Sequence, residues 1–217
     1  MPGRAVEPDL INRVLRGPAV LRPGVILIAM GLSAGGTFAA ELACEGPFAK
    51  DSDHKRLVAA FGRANVVRKT IHDPEGVEVK VSIVFPKDPV RRLLVLWHDE
   101  KALKRPARVV LEGSSWSGPQ GLKIGSPIEA VERINGKPFT LYGFDWDYGG
   151  STESWNGGAL GNLPGGCIFS PIFEPDDTTS DEIQNAVSGD TQFASDSQAM
   201  RAAEVRIRSL HLRYPRE

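Results

Sequence analysis

The chain has almost no charge imbalance, few histidines and only two cysteines, and each shortage removes a class of function. Lys and Arg number 26 against 27 Asp and Glu, a formal net charge of −1. Nothing in that balance calls for nucleic acid or an anionic membrane surface as partner. The basic residues between Lys101 and Arg108 stand beside Asp99, Glu100 and Glu112 with no aromatic residue among them, the pattern of a solvated loop, ahead of the alternative of a phosphate-binding patch. His54, His72, His98 and His211 fall on separate segments without metal-ligand spacing. No G-K-[ST] follows the glycine-rich stretch 149–166, so it is not a phosphate-binding loop. No cofactor is implied.

Long apolar runs are also scarce. One, Val25 to Leu32, follows Arg13, Arg16 and Arg22 and precedes the small residues "SAGGTFAA". That order is the n-region, h-region and cleavage site of a secretory signal, with the cut expected after Ala39 or one residue later. The run is too short to span about 30 Å of hydrocarbon. "GLSAG", Gly31 to Gly35, matches a nucleophile elbow but sits in the segment to be removed, with no strand before it. Cys44 follows the signal as a lipidated cysteine would, but Glu41 occupies the position where an apolar residue is required, so a lipoprotein is not expected.

Taking away residues 1–39 leaves 178 residues and removes four Arg and two acids, giving a charge of −3. A chain of that size buries roughly 70% of its unfolded surface, enough for one core over 40–217. In an oxidising compartment, Cys44 and Cys167 are expected to form one disulfide, against the alternative of two buried thiols.

"DSDHKRLVAAFG" reads as a short helix capped at Ser52 or Asp53, with Leu57, Val58 and Phe61 as its apolar stripe and Gly62 as its stop. "VEVKVSIVF", "RRLLVLWHDE" and "ARVVLEG" read as three antiparallel strands. "GSSWSG" reads as a linker. "GSPIEAVERING" repeats the helix, with Ser126 as cap, Pro127 in the first turn, Glu129 completing a capping box, and Gly136 as stop. Ser126 and Gly136 lie 74 positions after Ser52 and Gly62, which suggests two weakly related tandem units, about 50–113 and 121–217. "FTLYGFDWDY" follows as a strand with Phe144, Trp146 and Tyr148 inward and Asp145 and Asp147 outward. "CIFSPIFEP" reads as a strand, "DDTTSDEIQNAVSGD" and "DSQAMRAAE" as short helices, and "VRIRSLHLRYP" as a closing strand with a bulge near Ser209. The expected fold is α+β, short helices packed on one face of an antiparallel sheet.

"GLKIGSPIEAVERINGKP" followed by an aromatic strand resembles the repeating unit of SmpA/OmlA-type (BamE-like) envelope proteins, and the tandem β-lactamase-inhibitor-like fold uses related units. The resemblance covers 121–146 well and 52–63 loosely. It implies an exported envelope protein that binds another protein. The expected function is therefore a non-enzymatic binding module of the periplasm or cell envelope, without a membrane span after signal cleavage. Its expected contacts are sheet-surface aromatics and the glycine-rich loop, the latter through Trp155, Asn156 and Leu160. The rival is a hydrolase or metal-dependent enzyme built on Asp145, Asp147 and Glu153. The two aspartates at i and i+2 on one strand would project together, about 7 Å apart, and could share a cation or water.

Overall fold

Two short helices of the same length set the plan of the molecule. The structure, a computed structural model, describes residues 40–72, 76–113 and 115–216, and the export signal read over 1–39 lies outside them. The described chain opens with β1 (Ala40–Glu41) and a 3-10 turn over Gly46–Phe48. Asp53 then caps α1 (His54–Phe61), its carboxylate accepting the Arg56 N–H at 2.8 Å, and Gly62 ends it at φ 86°. Leu57 is buried on the core side. Four strands follow as an antiparallel meander: β2 (Val66–His72), β3 (Glu78–Val84), β4 (Leu93–Asp99) and β5 (Lys104–Leu111). The sequence suggested three. β2 escaped because it is an edge strand whose only buried residue is Val66, so no alternation marks it.

The expected linker contains β6 (Trp116–Ser117), which runs parallel to β1, and Trp116 is buried. In α2 (Ile128–Asn135), Ile128 and Val131 enter the core, but the expected capping box does not form. Pro127 stands at the cap. Ser126 Oγ accepts the Lys123 N–H at 3.0 Å, and Glu129 meets Arg201 at 3.0 Å. Ile128 N–H donates instead to Val205 O at 2.9 Å, so a backbone carbonyl remote in sequence supplies the partner that a side chain was expected to give.

β7 (Thr140–Tyr142) ends six residues before the expected aromatic strand does. β8 (Thr152–Ser154), β9 (Ile168–Phe169), β10 (Ile172–Glu174), α3 (Asp181–Ala186), β11 (Gln192–Ala194), α4 (Gln198–Ala202) and β12 (Arg206–Arg213) complete the chain. β9 and β10 replace the single strand read in "CIFSPIFEP", because Pro171 between them has no N–H for the ladder. On β12, Ser209 faces Ile172 while Ile207 faces Phe173, a register slip at the place the broken alternation indicated.

The main sheet runs β2-β3-β4-β5-β12-β10, with β9 also on β12, and β8-β7-β11 forms a smaller antiparallel sheet. The tandem plan is visible in the element starts. α2, β7 and β8 begin 74 positions after α1, β2 and β3. The helix N-termini are anchored alike: His54 N–H donates to Leu103 O as Ile128 N–H does to Val205 O. Arg105 N–H donates to Ser52 O as Ile207 N–H does to Ser126 O. The units meet at β5 and β12, where Val110 faces His211 between the pairs Val109–Leu212 and Leu111–Leu210.

The Cys44–Cys167 disulfide forms, with Cα atoms 6.0 Å apart across 123 residues of sequence. Gly165 makes room for it. A Cβ there would lie 2.2 Å from Cys44 O, and φ is +87°.

Candidate functional site

Among the described residues, the helices cover one face of the main sheet and none of them covers the other. Val84, Leu93, Leu111 and Leu210 form one cross-strand row on the covered side, and Val95, Val109, Leu212 and Phe169 form the next. All are buried in the core that also receives Leu57, Ile128, Val131 and Met200 from the helices. Behind this face, His54 and Trp97 both reach the fully buried Ser82. His54 Nδ1 lies 2.8 Å from its Oγ, and Trp97 Nε1–H donates to that oxygen at 3.1 Å. Burial, then the charge of Arg68, lowers the His54 pKa, and the contact closes the core rather than opening onto a substrate.

The other face follows from the same register, because neighbours along a strand alternate sides. One row across it reads Lys69, Val81, Leu96, Arg108, Arg213 and Ile168. The next reads Val67, Ile83, Leu94, Val110 and His211. Val81 and Ile83 are buried yet lie outside the core cluster, and Leu94, Leu96 and Val110 are half-buried without joining it. Val67 is 38% exposed at the edge. The face is thus an apolar surface of five strands that receives no buried apolar side chain from a helix among the described residues.

Its centre is cationic. Arg108 and Arg213 stand directly opposite on β5 and β12, where paired Cβ atoms are about 5 Å apart. Neither guanidinium has a carboxylate partner among the described residues, and burial together with the Arg213 charge lowers the Arg108 pKa. His211 beside them is pushed down to about 4, first by burial and then by Arg108 and Arg208. It is neutral at pH 7, and a proton on it would meet two positive neighbours.

The residues singled out from the sequence fall elsewhere. Trp155 and Leu160 are core residues. Trp155 lies against Phe139 at 4.8 Å and Phe169 at 6.0 Å, and its Nε1–H donates to Phe169 O at 2.9 Å. The glycine-rich loop therefore folds inward and does not present its tryptophan; Asn156 is exposed but donates to Pro138 O at 3.2 Å. What draws the loop in is Asn135, which is buried. Its Nδ2 donates to Lys137 O and Trp155 O at 2.9 and 3.1 Å, and its Oδ1 accepts the Leu160 N–H at 3.2 Å. A Cβ on Gly158 would sit 2.1 Å from that Oδ1, which explains one of the glycines.

The acidic ribbon does not form as a strand face. The chain turns after Tyr142, with Asp145 at φ +64°, so the i, i+2 geometry is lost. Phe144 is buried, but Trp146 is half-buried and Tyr148 is 65% exposed. Asp145 accepts the Ser188 hydroxyl at 2.6 Å, and Glu153 lies on β8, where it raises the Tyr142 pKa through a hydrogen bond. Asp145 and Asp147 do line a cleft of about 410 Å³ with Glu174, Asp176, Asp177 and Arg208. Among the described residues, no group of three His, Cys, Asp or Glu is arranged to hold a metal ion.

A signal that was present in the sequence concerns charge by halves. Residues 50–113 carry fourteen Lys and Arg against nine Asp and Glu, whereas 121–217 carry eight against fourteen. The near-zero total hides a molecule with a basic and an acidic half.

No family model matches the chain, and no curated protein matches it. A solved structure, that of the uncharacterized protein yfeY from Escherichia coli, is similar over 80% of this chain and 98% of that one, at 14% identity and a TM-score of 0.42. No helix among the described residues is long and apolar enough to cross a membrane.

Proposed function

We propose that this is an exported envelope protein that works by binding another protein, and that the face of the main sheet that receives none of the described helices is where it binds. The observation that carries the reading is the pair Arg108–Arg213, which has no carboxylate partner among the described residues and stands beside half-buried Leu94, Leu96 and Val110. Apolar surface surrounding uncompensated guanidinium groups is the composition of an interface centre, where arginine contributes strongly once water is excluded. Charge complementarity names the occupant as an acidic, partly apolar segment of a partner protein. The disulfide and the resemblance of 121–146 to SmpA/OmlA-type units support the compartment.

The test places a photo-crosslinking residue at Val110 in the exported protein, with the same residue at Lys123 as a reference. A partner adduct is expected at Val110 and should disappear in Arg108→Glu/Arg213→Glu. Adducts that form equally at both sites, or that survive the charge reversal, would set this face aside. N-terminal sequencing of the exported form should begin at Ala40 or Glu41, and an intact Met1 in the envelope fraction would remove the export reading.

A further inference from the structure

A cleft of about 600 Å³ opens where the start of β5 meets the residues after Cys44, Gly166 and the chain beyond β12. Lys50, Lys104, Arg105 and Arg216 line it, and Asp51, the one carboxylate among its described lining residues, is already held by both guanidinium nitrogens of Arg56 at 2.6 and 3.0 Å. The side chains of Lys104, Arg105 and Arg216 make no hydrogen bond or ion pair among the described residues. The floor is rigid: buried Tyr214 donates its hydroxyl to Phe48 O at 2.5 Å and its N–H to Ala107 O at 3.0 Å.

The backbone marks the same place. Leu103 and Arg105, on either side of Lys104, have φ of 52° and 54°. Left-handed conformations at non-glycine residues are strained and persist where the surroundings impose them. Here the anchoring of the helix imposes them, through His54 N–H on Leu103 O at 3.0 Å and Arg105 N–H on Ser52 O at 2.8 Å. In the second unit the residue with the equivalent N–H is Ile207, which is buried in the core. Arg206, the equivalent of Lys104 in bridging the helix start, is held by Asp176 at 2.8 Å and Glu204 at 3.3 Å. One anchoring scheme thus closes the core in one unit and, in the other, presents two cations without an ion-pair partner among the described residues.

We propose that this cleft binds a phosphoryl group, either free phosphate or the phosphate of a lipid headgroup. Several converging cations suit a multiply charged oxyanion better than a single carboxylate, and the guanidinium fork of Arg105 matches two of its oxygens. The volume falls within the range of small-ligand sites. The site is separate from the sheet face, and its test does not depend on the protein partner.

Isothermal titration of the exported protein with inorganic phosphate at low ionic strength reads the free source. Co-sedimentation with phosphatidylcholine vesicles, with and without phosphatidylglycerol, reads the headgroup. Lys104→Gln and Arg105→Gly should each weaken whichever binding is seen by about tenfold, the worth of one charge-assisted hydrogen bond. Arg133→Gln, on the exposed side of α2, should bind as the parent does. Arg105→Gly accepts the positive φ, so its melting temperature should not fall, which separates lost binding from lost fold. Saturable phosphate heat assigns the free ion, and vesicle binding that requires phosphatidylglycerol assigns the headgroup. No binding to either probe, or binding unchanged in both variants, would overturn the site.

Discussion

The two units share an element plan yet treat equivalent positions in opposite ways. Phe61 closes α1 and packs among Phe48, Phe85 and Trp116, at centroid distances of 5.7, 5.6 and 6.3 Å. Its counterpart 74 positions on, Asn135, is buried and works by hydrogen bonds that hold a loop. Lys104 faces a cleft without a carboxylate partner among the described residues, whereas Arg206 is ion-paired twice. The first unit is basic and the second acidic. What is common to both is backbone hydrogen bonding between helix start and strand, and what differs is side-chain chemistry. Two units can share the first because it needs no particular side chain, which leaves the second free to differ.

Removing the link between the units should have the largest effect. The Cys44–Cys167 bridge closes a loop of 123 residues, and the chain-entropy relation puts its contribution at about 5 kcal/mol. Denaturant titration of Cys44→Ala/Cys167→Ala should show a loss of that order, and an unchanged midpoint would mean that packing alone unites the halves.

Next comes the strand pair where the units meet. His211 is neutral in the fold down to about pH 4, while an unfolded histidine takes its proton near 6.5. Between those values the unfolded chain binds the extra proton, so stability is complete above pH 6.5 and declines as pH falls toward 4. The accumulated loss is about 3 kcal/mol. His211→Gln should flatten that part of the stability profile, and a parent profile that is already flat would show that His211 is not buried as described.

The helix ends give a smaller contrast. Asn135→Ala leaves the buried groups of Trp155 and Leu160 without partners and should cost about 2 kcal/mol, with the glycine-rich loop becoming susceptible to protease. Phe61→Ala should lower stability without exposing that loop. Equal loop cleavage in both variants would erase the distinction between the two helix ends.

The smallest effect is expected at Arg206. Hydrogen bonds from Thr178, then Arg206, hold the Asp176 carboxyl down to about 2. A depressed carboxylate adds stability above its unfolded pKa, near 3.9, and loses it as pH falls toward 2. Asp176→Asn should therefore be less stable than the parent at neutral pH, with the gap closing below pH 4. A gap that does not depend on pH would indicate a packing role instead.

Local chemistry was the legible part of this fold. Both helices appear where their apolar stripes and glycine stops placed them, the β3, β4 and β5 strands stand in their alternating segments, and the cysteines pair. These features depend on residues close in sequence or, for the cysteines, on there being no other choice. β2 was missed because an edge strand need not alternate, and the capping box because Val205, remote in sequence, satisfies the helix start.

The candidate site was less legible. Trp155 among glycines reads as a displayed aromatic, but Asn135, twenty residues earlier, turns it into the core. Asp145 and Asp147 read as one face of a strand that in fact ends at Tyr142. The sequence by itself determined an α+β chain with two helix-and-strand units, one disulfide, and a basic half followed by an acidic one. Only the tertiary structure decided which side of the sheet receives the described helices, that Arg108 and Arg213 stand opposite each other, and that Lys104 and Arg105 share a cleft with Arg216. The reason is physical: strand register and chain crossing bring together residues about a hundred positions apart, and no local period in the sequence records that pairing.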